Sequence, residues 1–534
     1  MVTFTRVVTA AAGVFAPGHL GELTQFVPFE LVDDVLAQTR AGQRRLRLLP
    51  SRAGVYFVLA LGLFPGLGYA RVWAKLTAGL QEMPGLPAAP SEKALRDLRR
   101  RLGPAPLKAL FEVLAGPLAW PHAPGVSFAG LRTLAFDGCS SLRAPDTERN
   151  RAWLGRVRHR LGFAGYPLVH LMALAETGTR GLLGAVIAGQ ADGDEAALAT
   201  RLLHLLGPGM LVLLDRAFDA GPFLAAVAGT GAHLLARARA CRSPLVSQIL
   251  PDGSWLTTID GLAVRVIEAA VTITGAGGSR HQDSYRLITT LLDHRAFPAA
   301  RLVRLYHERW EIESAYYALR HTLLDGVVLR SGDRPGAEQE IWALLTLYQL
   351  LRMAMTDAAA TLGTDPDRAS FTTALQTARD QLTAAAAITA GGVITRAIQA
   401  TLLPARRPRY SARKVKNALS RYHTRPDDPR PPLPAVITAI TITIITPPPP
   451  GTRSRPATRQ PRTPPPGSRR ARITTLMRTT PTRTWTTRDL ASQLHLPPRH
   501  LASQLCRWAR TGHLTRTAPA TYTLPTPLTP NPDP

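Results

Sequence analysis

Two aspartates in this sequence occupy positions where a carboxylate could do chemistry. Asp137 ends the apolar stretch in "LRTLAFDGCS", and Asp215 ends the one in "GMLVLLDRAF". Both stretches are typical of buried strands. A carboxylate at a buried strand end is costly unless it is paired or binds a cation, and active sites gather at strand ends in open sheets. Either aspartate alone would more often be a turn or helix-cap residue, so it is the pair that favours a site.

The stretch "YHERWEIESAYYALR", residues 306–320, adds three glutamates on a predicted helix. At 100° per residue, one stripe about 60° wide contains a phenol, two guanidiniums and one carboxylate: Tyr306, Arg309, Arg320 and Glu313. Glu308 and Glu311 fall on other sides, and we expect them to face outward. The arginines could simply form salt bridges with Glu313, or they could hold a phosphate beside a metal-binding carboxylate.

The segments "FDG", "LLDRAF" and "YHERWEIESAYYALR", in this order, resemble the DDE transposases of the insertion-sequence 4 family. The family signature on the last helix is Tyr-(2)-Arg-(3)-Glu-(6)-Lys. Tyr306, Arg309 and Glu313 match it, and Arg320 stands where lysine is usual. The 98 residues from Asp215 to Glu313 also fit, because members carry a β-rich insertion there. The resemblance covers about residues 18–360 and includes the downstream "VVLRS" and "QEIW".

The resemblance implies a catalytic site and its cofactor. Asp137, Asp215 and Glu313 would be the catalytic residues and would bind two Mg²⁺ ions, with Mn²⁺ as a substitute. One ion would activate a water and later the freed 3′-hydroxyl, and the other would stabilise the leaving oxygen. Tyr306, Arg309 and Arg320 would bind the DNA phosphates.

The same resemblance implies a function and partners. The activity would be metal-dependent DNA strand cleavage and strand transfer at the ends of an insertion sequence, that is, cut-and-paste transposition. The partners would be double-stranded DNA, both the terminal inverted repeats and the target, and a second copy of the chain in a homodimer. An alternative is a non-catalytic, transposase-derived DNA-binding protein, which the departure at Arg320 and the basic tail would suit.

The predicted fold is α/β. Residues 18–115 have helical spacing and are predicted to form a helical N-terminal DNA-binding domain, or a helical cap on the next one. Residues 125–363 show three strands, a helix and a strand, which indicates a mixed sheet; the resemblance makes it ribonuclease H-like. Residues 233–293 are the β-rich insertion. Long helices are expected at 298–324 and 337–363.

The C-terminal part changes composition. Residues 404–472 are rich in Pro, Arg and Thr and are predicted to be a disordered linker, interrupted by a strand at 435–445 that could join an earlier sheet edge. Residues 473–525 have the order of a winged helix-turn-helix, which would bind DNA or another protein. The candidate DNA contacts on its second helix are Arg499, His500, Gln504 and Arg507.

Charge and composition agree with a nucleic-acid partner. The 534-residue chain has a net charge of +27. Residues 401–534 contain 23 Lys and Arg against 4 Asp and Glu, a net of +19. Such a balance indicates a polyanionic partner, or a basic tail on a nearly neutral protein. Three cysteines without a CxxC pair favour a reducing cytosol, and no stretch reaches the ~20 apolar residues of a membrane span. We therefore expect a cytoplasmic protein, which the family resemblance implies is bacterial and associated with the nucleoid when bound to DNA.

Overall fold

The chain divides into two compact units, residues 1–454 and 455–534. Within the described part of the chain, no helix is long and apolar enough to cross a bilayer. The computed structural model describes these residues: 20–42, 49–78, 89–156, 158–159, 162–163, 165–239, 241–275, 280–383, 392–405, 437–454, 469–480, 483–495, 498–510 and 514–524.

The N-terminal region is helical, as predicted. Its second helix is buried along almost its whole length, because apolar residues fill all of its faces. Arg99 joins this region to a later helix, since its Nε donates to Gln339 Oε1 at 2.9 Å and its Nη2 lies 3.1 Å from Glu340 Oε1. The helices are these: α1 (Phe29–Gln38), α2 (Ser51–Leu63), α3 (Tyr69–Leu76), α4 (Glu92–Leu102) and α5 (Ala105–Leu114).

A mixed sheet of 11 strands follows in the described residues, with the order β6-β5-β2-β7-β8-β12-β11-β10-β9. Strand β1 pairs with β2, and β13 pairs with β11. The strands β2, β7 and β8 run parallel, and the other pairs are antiparallel. The strands are these: β1 (Ser127–Phe128), β2 (Leu131–Arg143), β5 (Leu168–Glu176), β6 (Leu182–Ala188), β7 (Met210–Leu214), β8 (His233–Arg237), β9 (Gln248–Ile249), β10 (Trp255–Ile259), β11 (Leu262–Gly275), β12 (Arg280–Thr289) and β13 (Ile437–Ile444). A separate short hairpin consists of β3 (Arg158–His159) and β4 (Gly162–Phe163).

Helices cover both faces of the sheet. Successive side chains of a strand point to opposite faces, so each strand contributes to two cores. On β7, Leu211 and Leu213 belong to one core, and Val212 and Leu214 belong to the other. The first core contains the N-terminal helices and the helices that follow the sheet. The second contains two helices from the strand connections. A strand buried on both faces must be apolar throughout, which is why "MLVLL" reads as a continuous run.

The remaining helices of the first unit include the segment that carries the predicted stripe. The long helix predicted at 298–324 is helical throughout but changes type: α9, a 3₁₀ turn over His307–Arg309, α10, and a π-helical turn over Ala318–Leu323. The helices are these: α6 (Glu148–Leu154), α7 (Glu195–Thr200), α8 (Gly221–Gly229), α9 (Ala299–Tyr306), α10 (Trp310–Tyr317), α11 (Arg334–Thr361), α12 (Phe371–Gln381) and α13 (Val393–Ala400).

The strand predicted at 435–445 is β13, and it belongs to the first unit. It pairs antiparallel with β11 from Ala269 to Gly275. Ile440, Ile442 and Ile444 pack against the core, while the residues between them are exposed. The predicted linker 404–472 therefore contains an ordered strand. Its parts at 406–436 and 455–468 lie outside the described residues.

The second unit has its own small core, built around Leu490, Leu501 and Trp485. Its strands form a three-stranded antiparallel sheet in the order β14-β16-β15. Gln504 is half-buried, and the side chains of Arg499, His500 and Arg507 lie outside the described residues. The elements are these: α14 (Arg469–Arg478), β14 (Trp485–Thr486), α15 (Thr487–Gln493), α16 (Pro498–Arg510), β15 (Thr515–Ala518) and β16 (Thr521–Thr523).

Candidate active site

Asp137 lies in the middle of a strand, so the prediction that it ends one is wrong. The strand β2 continues to Arg143, because its antiparallel neighbour β5 pairs with it as far as that residue. The parallel pairing with β7 stops at Ala135, two residues before Asp137. Asp137 therefore lies at the place where β7 ends, although its own strand goes on.

Asp215 follows the last residue of β7, as predicted. Its carboxylate begins a 3₁₀ turn, since Oδ1 accepts a hydrogen bond of 2.9 Å from the backbone N–H of Ala217. The side chain is 19% exposed. Because β2 and β7 are parallel neighbours, both aspartates lie at the same edge of the sheet.

The four residues of the predicted stripe all face this edge. Tyr306 donates a hydrogen bond of 3.1 Å to the carbonyl of Leu214 at the end of β7. Arg320 donates to the hydroxyl of Ser141 on β2. Between them on the helical segment, Arg309 and Glu313 are joined by a 3.1 Å ion pair. The stripe thus connects one helical segment to the ends of two strands.

Arg309 is the residue that links the carboxylates. Its buried guanidinium places Nη2 3.1 Å from Glu313 Oε1 and 3.9 Å from Asp215 Oδ2. Burial raises the pKa of Asp137 to about 7; the positive charge of Arg309 opposes this rise, and the negative charge of Glu313 adds to it. Arg309 therefore contacts the carboxylates of two separate elements, and its charge acts on that of a third.

Tyr306 is buried, with only 4% of its surface exposed. Burial raises the pKa of its phenol to about 12, so the hydroxyl stays protonated and can donate to Leu214. This contact holds the end of α9 against the end of β7, directly before Asp215. Helical spacing placed Tyr306 in the stripe, and the family resemblance implied that it binds phosphate. Spacing alone cannot distinguish the buried side of a helix from a site.

Glu311 contradicts the prediction that it faces outward. It is 2% exposed, and its Oε2 lies 2.5 Å from Arg180 Nε in the turn between β5 and β6. Arg180 also pairs with the buried Asp367, beyond α11. The helical segment has protein on both sides, so the face opposite Glu313 meets a buried arginine and not water. Glu308 is half-buried.

Two residues near Asp137 were missed by sequence reasoning. Tyr316 donates a hydrogen bond of 2.6 Å to the backbone carbonyl of Asp137, and so fixes α10 on β2. Glu195, at the start of α7, packs on Gly138, where an added Cβ would come within 2.8 Å of its carboxylate oxygen. Two features of the sequence could have indicated these residues. Tyr316 lies three positions after Glu313, and a glycine directly follows Asp137.

The donor set suits a hard divalent cation, because carboxylate oxygens are its preferred ligands. Within the described ranges, no three His, Cys, Asp or Glu side chains converge closely enough to hold a metal ion. Arg309 instead compensates the charge of Asp215 and Glu313. The residues fit a metal ion by their chemistry, and the Glu313 side chain, at 42% exposed against 19% for Asp215, is the more accessible of these two.

Comparisons with known proteins define the class. Residues 17–112 match the family described as "Insertion element 4 transposase N-terminal", and residues 130–350 match "Transposase DDE domain". The chain is 28% identical over 428 residues to "Transposase InsG for insertion sequence element IS4" of Escherichia coli (strain K12), covering 76% of this chain and 94% of that protein.

The chain is also similar to a solved structure, "Cryo-EM structure of piggyBac transposase synaptic complex with hairpin DNA (SNHP)", with a TM-score of 0.38 and 10% sequence identity. The match covers 73% of this chain and 86% of that one. The two family matches and the relative define a DDE transposase, an enzyme that cuts and joins DNA. The chain belongs to the insertion-sequence 4 family of these transposases, as the sequence motifs predicted.

Proposed function

We propose that Asp137, Asp215 and Glu313 are the catalytic carboxylates with which this transposase cleaves and joins DNA strands at the ends of an insertion sequence. The observation that carries the proposal is the position of Arg309, which contacts Asp215 and Glu313 and whose charge acts on Asp137. Carboxylates that approach one another around a single buried cation are rarely an accident of folding, because their mutual repulsion must be compensated.

We propose that these carboxylates hold two Mg²⁺ ions, for which Mn²⁺ can substitute. When bound, the ions would supply an activated oxygen nucleophile and stabilise the leaving oxygen of a displacement at phosphorus. The protein's own part is to keep the three carboxylates in place. Tyr316 holds α10 on β2, and Tyr306 holds α9 on β7, so that Asp137, Asp215 and Glu313 stay together.

The arginines of the stripe are the proposed phosphate ligands, together with Tyr306. Arg320 is the better placed of the two arginines, because it is half-buried, whereas Arg309 is almost fully buried and pairs with Asp215 and Glu313. The Nε of Arg320 has no hydrogen-bond acceptor in the described part of the chain. A buried hydrogen-bond donor without an acceptor destabilises the protein, and a phosphate oxygen would serve as that acceptor. Arg309 would change its partners only when a metal ion takes over the carboxylates. Tyr306 would have to release Leu214 before it could reach a phosphate.

Each region of the chain has a proposed role in this activity. The strands β6-β5-β2-β7-β8 would be the ribonuclease H-like core of a catalytic domain at 125–363, with the β-rich insertion at 233–293 and the helical DNA-binding region at 18–115. Residues 473–525 would form a winged helix-turn-helix after the linker; the order of α15, α16 and the antiparallel strands supports this. Arg499, His500, Gln504 and Arg507 remain its proposed DNA contacts.

The proposed partners follow from the activity. The enzyme would bind double-stranded DNA at terminal inverted repeats and at the target, and would act as a homodimer because an element has two ends. It would work in the bacterial cytoplasm, on the nucleoid.

The substitution Glu313→Gln tests the assignment. It removes the negative charge and keeps the shape, so we expect Mg²⁺- or Mn²⁺-dependent cleavage of the element's end to fall by at least about a hundredfold, the order seen when one electrostatic contact to a transition state is lost. Glu308→Gln makes the same change in the same helical segment and should cleave within about twofold of wild type. Equal cleavage by wild type and Glu313→Gln would show that the carboxylate is wrongly assigned.

The alternative, a non-catalytic DNA-binding protein derived from a transposase, remains open because Arg320 replaces the usual lysine. It predicts salt-sensitive DNA binding with no cleavage by the wild type in any divalent metal. Cleavage by the wild type therefore excludes the alternative, whichever carboxylates perform it.

A further inference from the structure

One exposed tyrosine lies on the same helix as the proposed catalytic carboxylate, and another lies beside Arg143 at the end of β2. Tyr317 is 62% exposed and lies four residues after Glu313 on α10, so both side chains project from the same face of the helix. Tyr166, before β5, is 40% exposed. Among the described residues, few large apolar side chains are this accessible.

Cationic groups connect these two tyrosines. The ring of Tyr317 lies 4.9 Å from that of His321, tilted by 37°. His321 accepts a hydrogen bond of 2.9 Å at Nε2 from Arg320. Arg143, at the end of β2, lies with its guanidinium carbon 5.8 Å from the centre of the Tyr166 ring. Burial and the charges of Arg320 and Arg143 lower the pKa of His321, so its imidazole is neutral and can accept from Arg320.

The result is a cluster in which aromatic rings lie beside guanidiniums. We call Tyr166, Tyr317, His321, Arg143 and Arg320 the aromatic–cationic surface. Arginines alone would suit the backbone of any DNA. Aromatic faces add little for a duplex, because the bases there already stack on one another. They do add affinity for unpaired bases, each of which can stack on an aromatic side chain.

We propose that the aromatic–cationic surface binds unpaired nucleotides of the DNA next to the scissile phosphate. The tyrosines and His321 stack on the bases, and Arg143 and Arg320 hold the phosphates between them. The proposal rests on the proposed function of Glu313, because only that places the scissile phosphate nearby. It gives the enzyme a way to favour a DNA end whose strands have separated over one that is fully paired.

The test compares a DNA duplex with an unpaired fork at one end and a blunt duplex of the same sequence. Affinities are measured in EDTA by fluorescence anisotropy, so no cleavage occurs. We expect the wild type to bind the forked DNA more tightly. Tyr317→Ala should reduce that preference about tenfold, within the range for one lost base–aromatic stack, and leave the affinity for blunt DNA unchanged. Tyr317→Phe keeps the stacking ring and should keep the preference.

A control comes from an exposed aromatic at another place. Trp120 is 71% exposed in the loop between α5 and β1, next to Ala119, whose carbonyl accepts from Arg132. Arg132 and Arg143 are 11 residues apart on β2, roughly 35 Å at the usual rise per residue. Trp120→Ala should therefore leave the preference for forked DNA unchanged.

The substitution Tyr166→Ala provides a second variant, because Tyr166 lies before β5 and outside the helical segment. It should also lower the preference for forked DNA, and Arg143→Gln should weaken both affinities. An unchanged preference in both tyrosine variants, or an equal loss for forked and blunt DNA, would overturn the proposal. Cleavage by Glu313→Gln judges the proposed function, and the preference of the tyrosine variants for forked DNA judges this surface.

Discussion

The buried position of Tyr306 indicates that it positions neighbouring residues of the site. Its hydroxyl is buried and donates to Leu214, one residue before Asp215. A phenol in this place can fix the end of β7 relative to the helical segment, and with it Asp215 relative to Glu313. Direct phosphate binding would need the same hydroxyl to leave its carbonyl acceptor.

Tyr306→Phe distinguishes the two roles. If the tyrosine is a positioning residue, the variant should lose about 1 kcal/mol of stability, the usual contribution of one buried hydrogen bond. Cleavage should slow while the affinity for end DNA stays within twofold. Urea denaturation, anisotropy and a cleavage time course measure the three quantities. A weaker DNA affinity with unchanged stability would instead make Tyr306 a phosphate ligand.

The positions of some candidate residues could be predicted from the sequence and those of others could not, for physical reasons. Asp215 was found because an apolar run that stops at a carboxylate signals a buried strand end. Asp137 was placed near the right edge but at the wrong point of its strand, because strand length depends on the antiparallel partner β5. Glu311 was misjudged because spacing gives its direction around the axis but not what lies there, and its partner Arg180 is 131 residues away in sequence.

At the scale of the element, the helical segment from Ala299 to Leu323 is not uniform. The 3₁₀ turn before α10 and the π-helical turn after it change the rotation per residue where Arg309 and Arg320 lie. Turns of the π type are rare and are often found at functional sites. A prediction at 100° per residue therefore identified the face but not the individual contacts. The reach of Arg320 to Ser141 depends on this local geometry.

The buried ion network on the other face should matter for the stability of the same segment. Glu311 and Asp367 both pair with Arg180, and all three side chains are almost inaccessible. Glu311→Gln removes one charge and leaves Arg180 with a single carboxylate. We expect a loss of about 1–2 kcal/mol in the free energy of unfolding, because Arg180 loses one of its two charged hydrogen-bond partners while Asp367 still balances its charge. Guanidinium denaturation followed by circular dichroism measures it.

The half-buried Glu308 again supplies the comparison. Glu308→Gln changes the same charge three residues earlier, and it should lower the free energy of unfolding by less than Glu311→Gln does, because Glu308 is the less buried of the two. If Glu311→Gln were equally mild, the network would not hold the segment in place. The arrangement of Glu313 would then depend on Tyr306 and Tyr316 alone.

At the scale of the whole molecule, β13 shows the limit of sequence reasoning most clearly. The run "AVITAITITII" predicts a strand, and the alternation of half-buried isoleucines with exposed residues confirms it. Its partner β11 is more than 160 residues earlier, and no local signal identifies it. The prediction of a linker at 404–472 therefore places the domain boundary too early, because the first unit extends to Ser454.

Two truncations test this boundary. A chain of residues 1–454 retains β13. A chain of residues 1–404 lacks it, which exposes the edge of β11 from Ala269 to Gly275. Ile440, Ile442 and Ile444 are half-buried, so we expect their removal to cost about 3 kcal/mol and lower the Tm by roughly 3–4 °C. The shorter chain should also aggregate through its uncovered edge. Equal melting temperatures for both truncations would show that β13 contributes nothing to the first unit.

The longer truncation also gives the second unit its own test. Residues 455–534 contain 13 arginines and 2 aspartates, so removing them takes away a net charge of +11 without disturbing β13. If this unit contacts DNA, each lost phosphate contact should reduce the slope of log affinity against log salt by about 0.9. We therefore expect residues 1–454 to bind DNA with a slope shallower by several units than the full chain does. The measurement is anisotropy across a salt series with one duplex. An unchanged slope would mean that the second unit, although strongly basic, binds a protein and leaves DNA to the first unit.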